Sequence, residues 1–114
     1  MLTYEQITKG IQVEMRKVAT LVDELATAGD EAAEADATYG IKFAKARLTI
    51  RALATEKLTV GEVDDSALVE CEGEYRHQLI AKNRHKTTLE ALRSSQSRLD
   101  ALRSLLSSLR TAGG

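Results

Sequence analysis

Residues 89–110 read LEALRSSQSRLDALRSLLSSLR. Leu89, Leu92, Leu99, Leu102, Leu106 and Leu109 recur at three- and four-residue steps, with Gln96 filling the gap between Leu92 and Leu99. Side chains three and four apart share one face of a helix, and a leucine row on that repeat is a short coiled-coil seam. Such a row needs a partner surface along its length. A polar residue in the seam can fix register, so Gln96 reads either as an interface residue or, equally, as one facing water.

Working outward, the helix that carries this row is expected over about residues 66–110, a length of roughly 65 Å that no compact globule satisfies. Leu68, Val69, Tyr75, Leu79 and Ile80 form its first apolar section, and KNRHKTT at residues 82–88 interrupts it with polar side chains. Its partner is predicted at the N-terminal end. Thr3 and Gln6 have the spacing of a capping box. After them Ile7, Ile11, Glu14, Val18, Leu21 and Leu25 keep a three-four rhythm, joined by Met15 and Val22. A helix over about 4–57 follows, with Gly29-Asp30 as the place where it kinks if it bends at all; a mid-helix glycine costs ~1 kcal/mol. Thr59 and Glu62 repeat the capping spacing, and Asp64, Asp65 and Ser66 are further cap candidates, so an acidic turn is expected at about 58–66.

Composition agrees with this reading. The chain has 114 residues, no proline, 4% aromatics and one cysteine. It is expected to be one all-α domain, a long antiparallel helical hairpin with coiled-coil-like packing, assembling into an oligomer. Cys71 has no disulfide partner in the chain and reads as a small buried or half-buried side chain in a reducing, cytoplasmic setting. No apolar run approaches the ~18 residues of a membrane span, so no membrane partner is expected.

The net charge of −1 conceals segregation: the net charges of residues 1–40, 41–58, 59–75 and 76–114 are −5, +4, −6 and +6. Basic blocks can pair with acidic ones or face an external anion. Chemistry is conspicuous by its absence. There is no GxxxxGK, nucleophile elbow or HExxH. His77 and His85 lack a further Cys or His to complete a metal set, and the acids of residues 62–74 lack EF-hand spacing. No catalysis, metal or cofactor is expected.

The densest basic stretch is YGIKFAKARLTIR, residues 39–51. Tyr39, Phe43, Ala46, Ile50 and Leu53 share a stripe, flanked by Lys42, Lys45, Arg47 and Arg51. In one reading the aromatics are core and the cations lie along its edges. In the other the cations contact phosphates and an exposed Tyr39 or Phe43 stacks on bases.

The KFAKARL segment, the acidic turn after it and the final LEALRSSQSRLDALRSLLSSLRTAGG resemble the UvsY family of tailed-phage recombination mediators over roughly residues 35–114. The resemblance implies an all-α, ring-forming protein that binds single-stranded DNA. Such a protein helps a RecA-like recombinase displace single-strand DNA-binding protein and build its filament. It maps the family's basic motif to Lys45 and Arg47; Lys42 and Arg51 join them by helical proximity. It also gives the last helix an oligomerising role, which falls to Leu92, Leu99, Leu102, Leu106 and Leu109. The family can show a glycine-rich polar turn after the basic element, whereas LTIRALATEKL continues helically here. The host-cell cytoplasm is the implied location for a phage-encoded protein. The rival expectation is a helical phage assembly, scaffolding or adaptor protein whose charge blocks set subunit register without nucleic acid.

Overall fold

The computed structural model describes residues 2–113, and these are all-α, with three helices and no strand among them. Helix α1 spans Tyr4–Leu53, α2 spans Val60–Glu70 and α3 spans Glu72–Gly113. The predicted capping box forms: the Thr3 amide donates to Gln6 Oε1 (2.9 Å) and the Gln6 amide donates to Thr3 Oγ1 (3.2 Å). These contacts satisfy amides that the first helical turn leaves unpaired. From there α1 runs uninterrupted through Gly29 and Gly40, neither of which takes a positive φ.

The reversal differs from the expected acidic turn at 58–66. α1 stops at Leu53, residues 54–59 make the connection, and most of the acidic stretch is helical. Thr59 is the cap. Its hydroxyl accepts from the Glu62 amide (3.1 Å) and donates to Glu62 Oε1 (3.1 Å). With Thr59 in that place, Glu62 sits in the first turn of α2, where a negative charge is stabilised by the helix dipole. The second expected helix is also interrupted, at Cys71, where φ is −105° and ψ 19°. The interruption is slight. The Cys71 amide donates to the Ala67 and Leu68 carbonyls, and its carbonyl accepts from the Tyr75 amide at 2.9 Å.

The described residues form two units: residues 2–27 with 86–113, and Ala28–His85. In the first unit Ile7, Glu14, Leu92, Ser95 and Leu99 are buried, with Ile11, Val18, Leu21, Leu25, Leu102 and Leu106 half-buried. The pairing is antiparallel, as Gly10 lies against Leu102 and Glu14 against Ser95. A Cβ on Gly10 would come within 3.1 Å of Leu102 Cδ1, so the glycine makes room for that leucine. In the second unit the buried apolar residues are small, namely Ala28, Ala35, Val63, Ala67, Cys71 and Ala81, and Gln78 is buried beside them. Small side chains let the helices approach closely, and Tyr39, Phe43 and Tyr75 fill the space beside them.

Gln96 is exposed and Ser95 takes the seam. Stepping from Leu92 to Leu99 through 95 or through 96 satisfies a three-four rhythm equally well. The tie is broken by α1, which presents Glu14 at that level and calls for a hydroxyl donor. The inward row that begins at Cys71 and continues along α3 is then Cys71, Glu74, Gln78, Ala81, His85, Thr88, Leu92, Ser95, Leu99, Leu102 and Leu106. It keeps the heptad throughout.

Leu92 and Leu99, expected at a subunit interface, are each only 7% exposed, whereas Leu109 is 37% exposed. The protomer covers the first two itself. The reason is that α1 of the same chain supplies the facing row that the hairpin reading expected, which leaves these two leucines little surface for the oligomerising role the resemblance gave them.

Candidate nucleic-acid interface

Lys42, Lys45, Arg47 and Arg51 lie on the last three turns of α1, in the second unit. The seam stripe of this stretch is Tyr39, Phe43, Ala46 and Ile50, all half-buried, and the cations emerge beside it. Tyr39 packs its ring 5.6 Å from Phe43 and 5.4 Å from Tyr75. Burial pushes the Tyr39 phenol above its ordinary value. Both rings are half-buried and packed on one another, with Tyr39 also against Tyr75.

The four cations divide into two pairs with different fates. Lys42 binds the Glu74 carboxylate, a bond that raises the lysine's pKa and lowers that of Glu74. Arg47 Nε lies 2.9 Å from Asp64 Oδ1. Those two buried atoms have no hydrogen-bond partner, so the contact is an ion pair with poor alignment. The Arg47 guanidinium also sits 5.9 Å from the Phe43 ring centroid, within cation–π range. Lys42 and Arg47 are thus engaged by acids of α3 and α2, the arrangement by which blocks of opposite charge hold a hairpin together. Lys45 and Arg51 are exposed, with no ion-pair partner among the described residues.

A second basic strip lies in the first unit. Lys86, Arg93, Arg103 and Arg110 are exposed on α3 and have no ion-pair partner among the described residues. In the heptad frame of the seam they occupy neighbouring positions on one flank of the helix. By contrast Arg98, on the other flank, is held by Glu14 at 3.1 Å. The signal for this strip was in the sequence, as the +6 of residues 76–114, but the leucine row drew the reading toward oligomerisation.

Two polar groupings, one buried at Glu14 and Ser95 and one half in solvent at Asp36 and Lys82, complete the electrostatics. In the first unit the Glu14 carboxylate accepts from Ser95 Oγ and from Arg98 Nε (3.1 Å), with Lys17 Nζ at 3.6 Å. The Ser95 bond does most to hold its pKa below the ordinary carboxylate value, against the opposing effect of burial. In the second unit Asp36 accepts from Gln78 Nε2, with Lys82 Nζ at 3.2 Å, and its pKa is lowered by the same two partners. Both are ion clusters that tie α1 to α3.

Cys71 is fully buried, and that burial raises its thiol pKa. A thiol so placed is a poor nucleophile. Among the described residues no group of three or more His, Cys, Asp or Glu side chains could hold a metal ion, and no helix is long and apolar enough to cross a membrane. No family model matches the chain, and no curated protein or solved structure matches it.

Proposed function

We propose that this chain is a non-enzymatic nucleic-acid-binding protein that grips the phosphates of single-stranded DNA. In the role implied by the UvsY resemblance, it is a phage recombination mediator that assists a RecA-like recombinase against single-strand DNA-binding protein. The observation that carries the reading is the set of exposed, unpaired cations: Lys45 and Arg51 on α1, and Lys86, Arg93, Arg103 and Arg110 on one flank of α3. Such cations exchange condensed counterions for phosphate contacts, giving affinity without sequence preference that falls as salt rises. Oligomerisation multiplies weak strips through multivalency, so a protomer of net charge −1 still holds a strand. Binding and protein contacts are then the whole activity.

A second reading, a helical assembly or adaptor protein, is favoured by one observation. Lys42 and Arg47 are occupied by Glu74 and Asp64, so part of the basic block serves the hairpin itself. Fluorescence anisotropy of a labelled single-stranded oligonucleotide, at low and moderate salt, separates the two. The mediator reading expects salt-sensitive binding that weakens several-fold in Lys45→Ala/Arg51→Ala and in Arg93→Ala/Arg103→Ala. A folded protein that gives flat curves at low salt belongs to the assembly reading.

A further inference from the structure

Around the junction of α2 and α3 an exposed face points away from α1, and its residues form a palindrome. Counting outward from position 74, whose own side chain turns inward to Lys42, Leu68 and Ile80 stand six residues away on either side. Val69 and Leu79 stand five away, Glu72 and Arg76 two, and Gly73 and Tyr75 one. At ~100° per residue these eight positions fall within an arc of about 160° on one side of the helix. The helical path is nearly continuous across Cys71, so the register holds through the junction. Val69 is 75% exposed and Ile80 61%, with Leu68, Tyr75 and Leu79 also exposed.

A second helix laid antiparallel across a dyad at position 74 meets this face in a complementary way. Leu68 and Val69 of one copy face Ile80 and Leu79 of the other, twice over. Each Glu72 faces an Arg76, adding a crossed ion pair to the one already formed within each chain at 2.8 Å. Each Gly73 stands on the flank of this face, where a Cβ would meet no atom of its own chain within 4 Å, while the Tyr75 ring on the other flank leans on Tyr39 of α1. A twofold contact requires a patch complementary to itself, and this pattern meets the requirement.

The exposed area points the same way. The chain exposes 8311 Å², about 2000 Å² more than the ~6200 Å² usual for a folded monomer of 12.5 kDa. A standard interface removes about 800 Å² from each partner. We infer that the face running from Leu68 to Ile80 is the docking surface for a second copy of this chain, joined antiparallel across a twofold axis at position 74. This contact closes at two subunits, so any larger ring needs a different surface in addition. It stands apart from the nucleic-acid reading, because none of the proposed phosphate contacts belongs to it.

Sedimentation velocity over a range of protein concentrations, with circular dichroism as a check on folding, tests the inference. The unaltered protein is expected to sediment as a dimer, or as an assembly built of dimers, at low micromolar concentration. Gly73→Gln adds bulk where the chain itself has open space and replaces a poor helix former. It should leave helicity intact and weaken association at least tenfold. Glu72→Arg sets arginine against Arg76 and should weaken association similarly, while Glu72→Arg/Arg76→Glu restores the opposite charges and recovers it. A protein that stays monomeric to high micromolar concentration overturns the inference. So does association that ignores Gly73→Gln, or a double reversal that fails to rescue the single one.

Discussion

Across the seam of the first unit, the Ser95 hydroxyl of α3 donates to the Glu14 carboxylate of α1, both side chains being buried. Arg98 completes the cluster from the next turn. A carboxylate with these donors is held ionised, and its lowered pKa links folding to pH. Because the folded value lies below the ordinary 4.5, the stabilisation is fully present above that value and lost as pH falls through the folded one. Asp36 and Glu74 have the same sign. Thermal melts should therefore hold steady from neutral pH down to about 5 and decline steeply below about 4.5. Glu14→Gln should lower the melting temperature at pH 7 by several degrees and flatten the acid limb.

Leucines at the two ends of the α3 row should differ in cost. Leu99 is buried against α1, so Leu99→Ala should destabilise by about 2–4 kcal/mol through lost burial and the cavity left behind. Leu109 is partly exposed already, and Leu109→Ala should cost under about 1 kcal/mol. Urea melts followed by circular dichroism measure both.

The glycines within α1 offer a gain. A Cβ at Gly40 meets nothing within 4 Å, and the backbone there is ordinary helix. Gly40→Ala should stabilise by about 0.5–1 kcal/mol. Gly10→Ala should gain less, since Leu102 Cδ1 stands 3.1 Å from the added carbon and must shift. Equal gains at the two sites, read from paired melts, would count against the close seating of Leu102.

Paired and unpaired cations should behave differently toward single-stranded DNA. Each of Lys45→Ala and Arg51→Ala is expected to reduce the salt slope of binding by about 0.7. Lys42→Ala and Arg47→Ala should change that slope less while lowering the melting temperature, since their partners Glu74 and Asp64 are left behind. Anisotropy titrations at four salt concentrations, beside thermal melts of the same variants, distinguish the two behaviours.

The long helices, the capping box at Thr3 and the cap at Thr59 were legible in the sequence because they rest on short-range rules: three-four spacing, and a threonine three residues before Gln6 or Glu62. Glu14 was legible on the α1 stripe for the same reason. What escaped is decided by the opposite helix. Ser95 and Gln96 are equivalent until Glu14 is placed beside one of them. Lys42 and Arg47 find acids 32 and 17 residues away, a separation that no local pattern encodes. The acidic stretch read as a turn because its Asp and Ser residues suit caps, whereas Thr59 captured that role and left them to the helix. The basic flank of α3 lay hidden behind the leucines beside it.

A row made only of leucine could slide by a heptad and still interlock; the mixed inward row of α3 cannot. A slip of seven residues one way would bring Leu102 opposite Glu14, and the other way would bring Cys71 opposite Asp36. The first error strands the buried Glu14 carboxylate against a side chain with no donor, whereas the second takes Gln78 from Asp36, an exposed carboxylate that water can serve. Ser95 thus acts as a keyed notch, the one hydroxyl of the row that meets the buried Glu14 when the helices are in register.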